Sequence, residues 1–110
     1  MAQVYEVLLT QGAEDDLEAL YDYLCAHRSI EQADALLDRL LGVIKALEEF
    51  PDRGAVPNEL ASLGMTDFRQ LLLAPYRLIY RVAGRTVLVS VIADGRRDMQ
   101  ALLEHRLLRR

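Results

Sequence analysis

The sequence predicts an α+β domain: a small, mainly antiparallel sheet built from an N-terminal strand and a three-strand meander, with a helical hairpin on one face and a C-terminal helix. Three observations carry this expectation. Residues 13–50 hold two apolar stripes at helical spacing, joined near Arg28 by a link short enough to force an antiparallel pair. Residues 67–92 hold three short strand-like runs, broken by Pro75 and by the Ala83-Gly84-Arg85 turn. The chain has 110 residues, 52% of them hydrophobic and 27% charged, which suits one domain spanning 1–110 with one buried core.

The elements follow in order. Gln3 to Leu9 alternates as a strand with both faces largely covered, although periodicity does not say where it pairs. Thr10 can cap a helix whose stripe is Ala13, Leu17, Leu20, Tyr21, Leu24 and Cys25, and Glu14, Asp15 and Asp16 lie in the first turn where the helix dipole favours anions. That helix stops near His27. Ser29 and Gln32 match a capping box, opening a second helix that runs toward Phe50 along Ala33, Leu37, Leu40, Ile44 and Leu47. Leu36, Leu41 and Val43 widen its apolar stripe, and Pro51 ends it. Residues 51–66 form a connection with one helical turn around Glu59 to Leu63. Strands are expected at Asp67 to Leu73, Tyr76 to Val82 and Thr86 to Ile92. Asp98 then caps a last helix with Met99, Leu102, Leu103 and Leu107 inward.

Composition narrows the function classes. No apolar run approaches the ~18 residues a membrane span needs, and no basic stretch with an apolar segment opens the chain. A lone Cys25 cannot form an intramolecular disulfide, so a reducing cytoplasm is the expected setting, without a membrane partner. His27 and His105 have no Cys, Asp or His at ligand spacing, so neither a metal nor a cofactor is expected.

The net charge of -4 is unevenly spread. Residues 1–60 carry four Lys or Arg against thirteen Asp or Glu, and residues 61–110 carry nine against four. Arg69, Arg77, Arg81 and Arg85 thread the strands, while Arg96 and Arg97 follow the last one, which predicts a cationic surface where the chain leaves the sheet. The competing structural reading pairs Arg96 or Arg97 with Asp94 or Asp98 and lets Arg69 and Arg77 brace neighbouring strands. On either reading Asp98 serves as a helix cap.

The order and spacing of four segments resemble the RelE/ParE superfamily of bacterial toxins, and the ParE branch in particular. These are LTQGAEDDL at the first helix, FPDRGAVPNEL after the second, DFRQLLLAPYRLIYRV across two strands and VIADGRRDMQALL at the end. Gln11 departs from the resemblance, standing where members often have proline at the first helical position.

The resemblance implies a compact sheet of about four strands with a helical hairpin on one face. For RelE-like members it implies mRNA cleavage on the ribosome, with basic side chains steadying phosphate and a C-terminal tyrosine or histidine moving a proton. Arg77 and Arg97 match the basic positions, but the segment that would hold the proton shuttle reads MQALL, and His105 falls beyond it. For ParE-like members it implies inhibition of DNA gyrase by binding, with no catalytic residue. Arg69, Arg77, Arg96, Arg97 and Asp98 are then the candidates for the target-facing surface. The resemblance further implies neutralisation by a ParD-like antitoxin in a hetero-oligomer, with DNA reached only through that complex. An antitoxin segment that folds on binding favours an apolar groove, for which Leu36, Leu41 and Val43 are candidates unless they are simply buried between helix and sheet. A third reading is a degenerate member that only binds an antitoxin.

Overall fold

A computed structural model describes residues 4–108. Its elements are β1 (Glu6–Leu9), α1 (Gln11–His27), α2 (Ile30–Ala46), α3 (Asn58–Ala61), β2 (Phe68–Leu73), β3 (Tyr76–Ala83), β4 (Thr86–Asp94) and α4 (Met99–Leu103), and α4 continues into a wider π-type turn over Glu104–Leu108. The sheet order is β1-β4-β3-β2. The meander pairs antiparallel, and β1 lies parallel to β4 with Glu6 opposite Thr86 and Leu9 opposite Val89. The expected α+β architecture is therefore present, and the pairing that periodicity left open is a parallel one at a sheet edge.

Local chemistry starts each helix where expected. The Thr10 side chain accepts from the Ala13 N–H, the Ser29 side chain from the Gln32 N–H and the Asp98 side chain from the Ala101 N–H. Gln11, in place of proline, donates from Nε2 to Asp15 Oδ1 at 2.9 Å. Several boundaries differ from expectation, β1 among them, which starts at Glu6 although Val4 and Tyr5 are described. The second helix ends at Ala46 rather than near Phe50, because the Tyr5 N–H captures the Glu48 carbonyl at 2.8 Å and turns the chain onto the sheet edge. The single turn falls at Asn58–Ala61, and β4 runs on to Asp94. β1 is also half covered rather than covered on both faces: Val7 and Leu9 pack on the core while Glu6 and Leu8 are exposed. Gln3, included in the expected strand, lies outside the described residues.

Both faces of the sheet are buried, each against its own partner. Ala13, Leu40, Ile44 and Leu47 of the hairpin side pack on Leu78, Tyr80, Val87, Val89 and Ile92. On the opposite face Leu60, Met99 and Leu103 pack on Phe68, Ile79, Val91 and Ala93. A β-bulge allows β4 to serve both. Tyr80 lies opposite Val89 and Ile79 opposite Val91, leaving Ser90 as the extra residue. Val87 and Val89 thus face the hairpin, whereas Val91 and Ala93 face α4.

Candidate functional site

The strand arginines do not all reach solvent. Arg77, on β3, sends Nη1 and Nη2 to the two Glu59 carboxylate oxygens at 2.7 and 2.8 Å, and Nε to Gln70 Oε1 at 2.7 Å. Its side chain is only 12% exposed. This forked pair sets α3 against the sheet, and the guanidinium holds the Glu59 carboxyl below its ordinary pKa against the opposing effect of burial. The Arg77 stem also runs beneath the next turn, since a Cβ on Gly95 would come within 2.8 Å of Arg77 Cδ. Arg69 donates from Nη1 to the carbonyls of Asp52 and Gly54 at 3.2 and 2.7 Å, anchoring the connection to β2. The competing structural reading describes Arg77, which reaches Gln70 on the neighbouring strand, and Arg96, which pairs with Asp94, while Arg69 braces the 52–54 loop instead of a strand.

The corner after β4 is more open to solvent. Arg96 is 77% exposed and holds both oxygens of Asp94, with contacts from Nε and Nη2 of 2.6 to 3.2 Å. The Arg96 side-chain bonds, helped by its backbone N–H, bring the Asp94 carboxyl down to about 2. Arg97 is exposed and makes no side-chain ion pair or hydrogen bond among the described residues. Asp98 is exposed and occupied as the cap of α4. Arg77, Arg96 and Arg97 are therefore neighbours around one turn, with the first committed inward and the other two facing outward. Arg69 lies apart from them, at the far end of β2 beside the 52–54 loop.

Of the three apolar candidates on α2, Leu36 and Val43 are half-buried against the hairpin core, and Leu36 lines the seam between α1 and α2. Leu41 is 46% exposed. A helix wedged between a sheet and a second helix is covered over a wide arc, which accounts for two of the three.

One cluster has no counterpart among the expected site residues. Arg106 donates from Nη1 and Nη2 to the Asp16 oxygens at 3.0 and 3.1 Å, and from Nη2 to the Ser90 carbonyl at 2.7 Å. Asp16 Oδ2 also accepts from the Ile92 N–H at 2.9 Å. The pair thus satisfies backbone groups that the bulge turns away from β3. Gly12 makes room for it, because a Cβ there would lie 2.3 Å from Arg106 Nη2. A signal was present in the sequence. Asp16 falls three residues after Ala13 and four before Leu20, and Arg106 three after Leu103, so both charges sit on apolar stripes.

Among the described residues no group of three or more His, Cys, Asp or Glu is placed to hold a metal ion. No helix is long and apolar enough to cross a membrane. Fold and surface together define a small α+β module that offers a charged corner and shallow grooves. Comparison with known proteins agrees with that description. Residues 7–99 match the family model of the ParE toxin of the type II toxin-antitoxin system parDE, and the chain belongs to this family. It is 28% identical over 97 residues to Toxin ParE3 of Caulobacter vibrioides, covering 88% of this chain and 93% of that protein. A chain from a solved structure of the chromosomal ParDE TA system from P. aeruginosa shares the fold, with a TM-score of 0.70 at 24% identity over 83% of this chain and 96% of that one.

Proposed function

We propose that this ParE-family toxin acts by binding DNA gyrase rather than by catalysis. An antitoxin of ParD type neutralises it by folding onto the toxin, and the resulting hetero-oligomer is the species that touches DNA. The setting is the cytoplasm. The observation that carries this reading is the division among the arginines: Arg97 is exposed without an ion pair among the described residues and Arg96, though it holds Asp94, is 77% exposed at the sheet exit, whereas Arg77 is committed to Glu59 and Gln70 and only 12% exposed. A nuclease of RelE type requires Arg77 free to steady a phosphate and a proton donor beside it. Here the adjoining positions are Met99, Gln100, Ala101, Leu102 and Leu103. An exposed guanidinium pair, by contrast, suffices for gripping a macromolecule and steering its approach.

Purified protein is expected to inhibit gyrase supercoiling at micromolar concentration and to accumulate broken DNA. Unimpaired supercoiling, together with mRNA cleavage on programmed ribosomes, overturns the reading in favour of the nuclease.

A further inference from the structure

The outer edge of β1 is open over a short window. In the parallel ladder the Glu6 and Thr10 N–H groups bond to the Arg85 and Val89 carbonyls at 2.9 Å each. The even-numbered residues of β1 thus turn their backbone toward β4, and Val7 and Leu9 turn theirs outward. Among the described residues nothing meets the outward N–H and carbonyl groups of Val7 and Leu9. Both ends of the window are defined. Before it, the Tyr5 N–H is taken by the Glu48 carbonyl at 2.8 Å. After it, α1 leans over β4 rather than over the β1 edge, since Asp16 reaches the Ile92 N–H at 2.9 Å.

Side chains around this window are apolar and uncovered. Leu8 is 45% exposed, as are Val4, next to Tyr5, and Phe50, two residues past Glu48, at 64% and 59%. Leu8 also ends a row that crosses all four strands on the α4 face, Phe68, Arg81, Leu88 and Leu8. An edge with free backbone groups and exposed apolar side chains is a template for another strand. The β1 sequence fits itself in that role. In an antiparallel copy centred on Leu8, Val7 of each strand faces Leu9 of the other, and every outward N–H and carbonyl finds a partner. Leu8 then meets Leu8, which extends the apolar row, and Glu6 meets Thr10, which keeps the two carboxylates apart. Centring the pair on Val7 instead sets Leu9 against the Tyr5 N–H, already bound to Glu48, and centring it on Leu9 sets Val7 against Gln11, already helical.

We propose that two copies of this chain pair β1 with β1 about a two-fold axis at Leu8, joining their four-stranded sheets into one continuous sheet. Because β1 and β4 run parallel while the two β1 strands run antiparallel, the Arg96–Arg97 corners lie at opposite ends of the joined sheet. Both corners stay open to solvent. The proposal does not rest on the gyrase reading, and its test reads no toxin activity.

In sedimentation equilibrium the full chain is expected to reach twice its 12.5 kDa mass at about 100 μM. Leu8→Lys, a change at a side chain open to water, brings two ammonium groups together on the axis. It is expected to weaken the dimer by about tenfold or more while the circular dichroism of the monomer is unchanged. Register is read by cross-linking in a Cys25→Ser background, where an introduced cysteine is the only thiol. Opposed residues outside the hydrogen-bonded pairs bring their Cα atoms to ~4.5 Å, so diamide should oxidise Leu8→Cys to a covalent dimer and leave Glu6→Cys monomeric. A chain that stays monomeric up to about 1 mM, a dimer indifferent to Leu8→Lys, a Leu8→Cys variant that does not cross-link, or a Glu6→Cys variant that cross-links as fast overturns the proposal. Gyrase inhibition measured on the same sample stands or falls separately.

Discussion

The Tyr80 phenol is fully buried on the hairpin face, where its hydroxyl donates to the Pro51 carbonyl at 2.7 Å and accepts from the Gly54 N–H at 3.1 Å. Burial raises its pKa, so it remains a neutral donor, and it pins the loop that also receives Arg69. Tyr80→Phe leaves an amide and a carbonyl without their partner and is expected to cost about 1–3 kcal/mol in urea denaturation. The Arg77–Glu59 fork makes a pH-dependent contribution of the same local kind. Because the folded-state pKa of Glu59 lies below its unfolded value, its contribution is complete above ~4.3 and is lost as pH falls through the lower folded value. Glu59→Gln should therefore flatten the fall in Tm as pH drops below ~4.3 while lowering Tm at pH 7. A variant whose acid slope equals the parent's would show that the fork contributes nothing. Arg77 itself was legible as a strand arginine, but its partner was not. Glu59 sits on a four-residue turn whose placement depends on the sheet beneath it.

At the scale of elements, the helices show what spacing can and cannot reveal. Thr10, Ser29 and Asp98 were legible as caps because a cap is a contact within three residues of chain. The end of α2 was not, since the Tyr5 N–H that captures Glu48 comes from an element more than forty residues away. The Asp16–Arg106 pair, ninety residues apart in sequence, joins α1 to the C-terminal turn across the β4 bulge. Asp16→Ala removes the acceptor for both Arg106 and the Ile92 N–H, and is expected to cost about 1.5–3 kcal/mol. Hydrogen exchange should then rise first along residues 99–108, before the hairpin is affected. Leu41, by contrast, is open to water on α2. Leu41→Glu is expected to leave stability within about 0.5 kcal/mol, so that any loss of antitoxin affinity measured by calorimetry reports a surface contact.

Over the whole molecule, the acidic first half and basic second half are tied together by the pairs Asp16–Arg106 and Glu59–Arg77. At the corner after β4, Arg96 holds Asp94 yet stays 77% exposed, and Arg97 is exposed without an ion pair among the described residues. A double substitution, Arg96→Glu with Arg97→Glu, should leave Tm nearly unchanged and reduce gyrase inhibition by at least about tenfold, an effect that diminishes at high salt as screening removes steering. Equal potency of the variant would move the target surface elsewhere.

The sequence by itself determined the element order, the caps and the helical hairpin on one face of the sheet, because these follow from periodicity and from contacts between near neighbours. It also supplied the family, through motif order across almost the whole chain. The tertiary structure alone decided that β1 lies parallel to β4, that Ser90 bulges, and which arginines face water. Those outcomes depend on where a distant carboxylate or carbonyl ends up, and a side chain's charge does not reveal whether a partner will arrive to neutralise it.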